Sequence, residues 1–239
     1  MVSALSSRRA FLRAALGAST LLSAAFGLAP ARGQGRPRLL VFVPADIPPT
    51  ALQKQLVNAI PAADITVFGR FRDLEVALGK KPDAVLTLGP VLLAKGLRST
   101  IAGKNAGSST EPYVLLAIGR QVAPDRLASV GAVDLMGRQG MKELLSRLLG
   151  TMPRVERVTK YEDLLPLLQF GSAEAVLLPE RLLSTFRARS KLDLQASRVR
   201  DGVGLPALAV LSPEGASLVW SVKTLALSIS KQMGVQQWE

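Results

Sequence analysis

The stretch PDAVLTLGPVLL, Pro82 to Leu93, decides how the rest of the chain is read. From Asp83 to Gly89 the residues are apolar at nearly every position, without the alternation of a half-solvated strand. A strand of this kind is expected to be buried on both faces, as in parallel sheets covered by helices. Pro90 cannot continue the ladder, so it ends the strand and opens a short helix. The same unit recurs outward in both directions. RLLVFVP (38–44), DITVFG (64–69), YVLLAIG (113–119), ASVGAVDLMG (128–137), VERVTKY (155–161), AEAVLLP (173–179), LDLQASRV (192–199) and ALAVLSP (207–213) read as strands. Between them lie helical patterns. TALQKQLVNAI places Leu52, Leu56, Val57 and Ile60 at helical spacing behind a capping Thr50, and QGMKELLSRLLG places Met141, Leu144, Leu145 and Leu148 on one face. EDLLPLLQFG reads as a helix interrupted by Pro166, residues 215–232 as one long closing helix, and the polar, glycine-rich 98–112 as a surface loop. Alternating strands and helices give an α/β protein with two small Rossmann-like lobes and mostly parallel sheets.

The chain opens on different chemistry. SSRRAFLRAALG (6–17) pairs Arg8 with Arg9 ahead of an uncharged run to Pro30, and Ala29-Pro30-Ala31 offers small residues for cleavage. This is the pattern of a twin-arginine export signal, residues 1–31, cleaved near Ala31, and it places the mature protein in the periplasm. The run falls short of a membrane span. Losing the signal removes Arg8, Arg9 and Arg13 and no acid, so the net charge falls from +12 to +9. A basic exported protein suits anionic partners; the basic residues are dispersed and aromatics are few, so nucleic acid is not expected. The dense run from Arg181 to Arg200 reads as a solvated face.

Composition excludes much catalysis. The chain has neither histidine nor cysteine, which removes thiol chemistry, Ser-His-Asp triads and histidine-based zinc sites. Gly202-Val203-Gly204-Leu205-Pro206-Ala207 has the outline G-x-G-x-x-A, but no helix opens within it, so it reads as a hinge rather than a dinucleotide fingerprint. Ser228-Ile229-Ser230-Lys231 has the outline S-x-x-K without its partner motifs. No enzyme activity and no cofactor are expected.

The lead strand RLLVFVP after the signal, the segment PDAVLTLGPVLL and the late return strand LPALAVLSPEG with its C-terminal helix follow an order that resembles type 2 periplasmic solute-binding proteins. More narrowly, that order is similar to the phosphate/phosphonate group of ABC-transporter substrate-binding proteins, over most of residues 38–233. The resemblance implies a first lobe of residues 38–119 plus 207–239 and a second of 120–206. It also implies a monomer that carries a small anionic solute between its lobes to an ABC permease in the inner membrane.

Open α/β sheets bind ligands beyond the carboxyl ends of their strands, where helix N-termini favour anions. That rule selects Asp46, Gly89, Pro90, Arg120, Gly137, Arg138, Gln139 and Tyr161. Arg138 between glycines offers a bidentate anion contact and Tyr161 a stacking surface, while Asp46 either accepts from a ligand or caps the turn before Pro48. The rival expectation is an exported accessory protein that keeps the fold without a working cleft.

Overall fold

The structure is a computed structural model that describes residues 35–239. The export-signal reading therefore lies outside the described residues. In chain order the elements are β1 (Arg38–Phe42), α1 (Pro49–Ala59), β2 (Asp64–Val67), α2 (Phe71–Leu78), β3 (Ala84–Leu88), α3 (Gly89–Ala94), β4 (Ile101–Lys104) and β5 (Thr110–Glu111). There follow β6 (Tyr113–Ile118), β7 (Ser129–Val133), α4 (Gly137–Leu149), β8 (Arg154–Val158), α5 (Leu164–Gln169), β9 (Ala175–Pro179), α6 (Leu183–Arg189) and β10 (Leu194–Arg198). The chain closes with β11 (Val203–Gly204), β12 (Pro206–Val210), α7 (Ser217–Lys223), α8 (Leu227–Gln232) and β13 (Gln237–Trp238).

Two sheets form the lobes. The first has the order β13-β4-β12-β3-β1-β2, the second β10-β6-β9-β7-β8. Each is built on a parallel unit, β2-β1-β3 and β8-β7-β9, extended on one side by antiparallel strands. The burial of PDAVLTLG follows from this position. Every residue of β3 is buried. Ala84 and Leu86 face one core with Leu39, Val41, Leu56 and Leu208, while Val85 faces the other with Leu40, Phe42 and Leu74. Fully burying a side chain such as Leu86 contributes about 1.5–3 kcal/mol. Thr87, also buried, donates its hydroxyl to the Phe42 carbonyl at 2.7 Å, so the core holds no orphaned group there.

The fold departs from the sequence expectation where pairing is long-range. Residues 98–112 are not a plain loop. Ile101 is buried, and β4 pairs with β12 and β13 from the far end of the chain. Only Asn105 to Ser108 forms the tight turn that its composition announces. The expected closing helix is two short ones, because Leu225 is buried between them and the Trp238 indole donates to the buried Ser230 hydroxyl at 3.0 Å. Pro166 lies in the first turn of α5, where its missing N–H has no helical partner to lose, so it does not interrupt the helix. Strand β8 stops at Val158, and Tyr161 begins a 3-10 turn. β6 belongs to the second sheet, so the chain changes sheet at Pro112, before the expected boundary at Gly119.

The return crossing is tight. β11 pairs antiparallel with β5, and a Cβ at Gly202 would lie 2.6 Å from the Glu111 carbonyl oxygen. Gly202→Ala must therefore push the two crossing strands apart, with an expected loss of roughly 1–3 kcal/mol. Urea unfolding should show a lower midpoint for it. Gly79→Ala, whose Cβ would meet only the Val76 carbonyl at 3.4 Å, should shift far less.

Candidate functional site

The carboxyl ends of both parallel units converge on one cavity of about 470 Å³. From the first lobe it is lined by the end of β1, the loop through Ile47, the first turn of α1, and Val67 to Gly69 after β2. From the second it is lined by Val133, Leu135 and the Thr159–Asp163 segment after β8. The walls are Phe42, Pro44, Ala45, Ile47, Phe68 and Val133. The charged groups that line it, Lys160, Glu162 and Asp163, are all exposed to solvent. Tyr161 is buried on the second-lobe wall, its hydroxyl 3.5 Å from that of Tyr113. Burial pushes the ionisation of both phenols up, so both remain neutral hydrogen-bonding groups.

Beside this cavity sits a charged network that spans the lobes. Arg181, in the turn after β9, donates from Nε to Asp46 at 3.1 Å, from one terminal nitrogen to Glu111, and from the other to the Pro44 carbonyl at 2.9 Å. Asp46 and Pro44 belong to the β1–α1 loop and Glu111 to β5. Asp46 is itself tied to the closing helix, its N–H donating to the Gln232 carbonyl at 3.0 Å. The Arg181 side chain is 18% exposed and that of Glu111 8%, which makes this a buried ion pair rather than a surface one. Burial disfavours the charge on Arg181, but Glu111 and Asp46 outweigh it and hold the guanidinium above its ordinary range. Burial raises Glu111, and Arg181 offsets this only in part. Asp46 shifts the same way for the same reasons.

Of the residues selected from sequence, Tyr161 alone lines the cavity. Asp46 is held by Arg181. Gly89 donates its N–H to the Leu205 carbonyl at 3.1 Å, and Pro90 packs against Gly204, so this pair seats the return strand instead of a ligand. Arg120 is misplaced by topology. It follows β6, which runs antiparallel to β9, so the end of β6 points away from the cavity, and Arg120 pairs there with Glu174 at 2.6 Å. The turn at Gly137 is already occupied: its N–H donates to Asp134 at 2.7 Å, and Arg157 pairs with the same carboxylate at 2.7 Å. Arg138 and Gln139 are exposed, and Gln139 bonds Glu143. Sequence reasoning missed Arg181 by reading it as part of a solvated face. Arg187, Arg189, Arg198 and Arg200 are indeed exposed, and Arg181 is not. Its placement right after the fully buried strand AVLLP was the available signal.

No family model and no curated protein matches this chain. Solved structures do. An arginine-bound mutant of ArgBP from T. maritima superposes with a TM-score of 0.53 at 20% identity, over 78% of this chain and 93% of that one. A double mutant of the VFT2 domain of Bordetella pertussis BvgS gives 0.54 at 13%, over 83% and 91%. An amino acid ABC transporter substrate-binding protein, AbpA from Streptococcus pneumoniae, bound to L-arginine, gives 0.54 at 14%, over 82% and 91%. At these identities the likeness is one of fold. The chain has the two-lobe α/β architecture of periplasmic solute-binding proteins.

Removing Arg181 leaves Glu111 buried without its partner, so Arg181→Met should cost about 3–5 kcal/mol in urea unfolding at neutral pH. Nothing then offsets burial, and the folded-state pKa of Glu111 rises further above its unfolded value. The native state takes up that proton first, so the deficit should shrink as pH falls toward about 5. A deficit that stays constant or grows on acidification would remove Glu111 as its source.

Proposed function

We propose that this chain is an extracytoplasmic solute-binding protein that holds a small molecule in the interlobe cavity. The observation that carries this reading is the convergence of two strand-end sets on one concave space within the roughly 300–1,000 Å³ of small-molecule sites. Tyr161 contributes from the second lobe, and Phe42, Phe68 and the proline-rich β1–α1 loop from the first. The fold likeness supports the role, since relatives of this architecture include arginine-bound proteins. It supports neither the phosphate/phosphonate subgroup nor an anionic solute, and the two arginines expected to bind an anion stand away from the cavity. A monomer that docks on an ABC permease, without catalysis, completes the proposal. The accessory reading retains one supporting observation, the Arg181 bridge, which a wide opening of the lobes would have to break.

Thermal unfolding of the purified protein against amino acids, sugars, carboxylates, phosphate and aromatic metabolites tests the role. A ligand of the native state at a hundredfold excess over its Kd adds about 2.7 kcal/mol. A saturable rise that Thr50→Trp abolishes supports the cavity. Flat melts throughout favour the accessory role. The proposed twin-arginine route is tested separately: Arg8→Lys combined with Arg9→Lys should leave the protein in the cytoplasm on fractionation, while an unimpaired export would remove that route.

A further inference from the structure

Resting on the solute-binding reading, we infer that the cavity selects a compact, uncharged and predominantly apolar solute, aromatic or branched-aliphatic, in place of an amino acid or an oxyanion. The walls supply Phe42, Val43, Ile47, Leu52, Phe68 and Val133, together with Pro44, Pro48 and Pro49. A charged group inside such walls must find a partner or bear its desolvation, a cost of several kcal/mol per ion. Among the described residues that line the cavity, no charged side chain is buried. Lys160, Glu162 and Asp163 are exposed to solvent, all in the segment after β8. The buried cation beside the cavity, Arg181, is committed to Asp46, Glu111 and the Pro44 carbonyl. The same bridge engages Asp46, the carboxylate of the β1–α1 loop. A zwitterion would therefore find no buried, uncommitted cation or anion in the walls, only the solvent-exposed Lys160, Glu162 and Asp163. An apolar body gains from burial there, and the hydroxyls of Thr50 and Thr159 at the edge can hold one polar substituent.

Calorimetric titration of the full-length protein with indole, para-cresol and 3-methylbutan-1-ol, against L-arginine, phosphate and methylphosphonate, tests the inference. At least one uncharged probe should bind saturably and about tenfold or more tighter than every charged one. Ala45→Trp and Thr50→Trp, which fill the cavity from its wall and its edge, should each weaken that binding about tenfold or more, with unchanged circular dichroism. Thr50 is exposed, so its variant tests the site even if Ala45→Trp fails to fold. Tighter binding of arginine or phosphate, lost in the same variants, overturns the solute class and leaves the solute-binding role standing. If no probe binds in a way that depends on these variants, the inference falls, and the role falls with it only where the thermal melts against the wider panel are flat as well.

Discussion

A single buried guanidinium holds the crossing between the lobes. Arg181 reaches from the second lobe to the β1–α1 loop of the first and to β5, and each of its three donor positions meets an acceptor. A lysine would carry the charge but not the planar fork that satisfies three acceptors in different directions. Closed ion pairs of this kind confer little net stability over apolar packing, yet they punish the loss of either partner. Their structural effect is positional. The β1–α1 loop, which forms one wall of the cavity, is pinned at Pro44 and Asp46 by the same side chain.

The same bridge shapes the electrostatics of the cavity. Arg181 is committed to both Asp46 and Glu111, so the walls offer shape and apolar surface, and the charged residues that line them are exposed to solvent. A molecule with a net positive charge can thus present few buried charges where a cavity lies. Overall basicity governs long-range attraction and solubility, not the chemistry of a recessed pocket.

The direction of one strand accounts for the largest error in reading the site. The rule that looks beyond strand carboxyl ends leads to the candidate cavity for β1, β2, β7 and β8, which run parallel within their sheets. It fails for β6, whose own sequence, YVLLAI, is as apolar as that of its parallel neighbours. An inserted antiparallel strand is buried on both faces just as a parallel one is, so composition carries no trace of its direction. Arg120 was accordingly assigned to the end of the sheet opposite the one it occupies.

Much of the architecture was legible in the residues alone. Continuous apolar runs such as AVLTL and AVLLP specified doubly buried strands, and helical spacing specified α1 and α4, because burial and periodicity are local properties that each segment carries by itself. Tyr161 was legible for the same reason, as an amphipathic residue just past a strand end. What only the tertiary structure decided was pairing across distance: β4 with β12 and β13, β5 with β11, and Arg181 with Asp46 and Glu111. These partners lie far apart in the chain. Whether a polar segment is solvated or a cation is buried depends on what arrives opposite it, and no local pattern encodes that arrival.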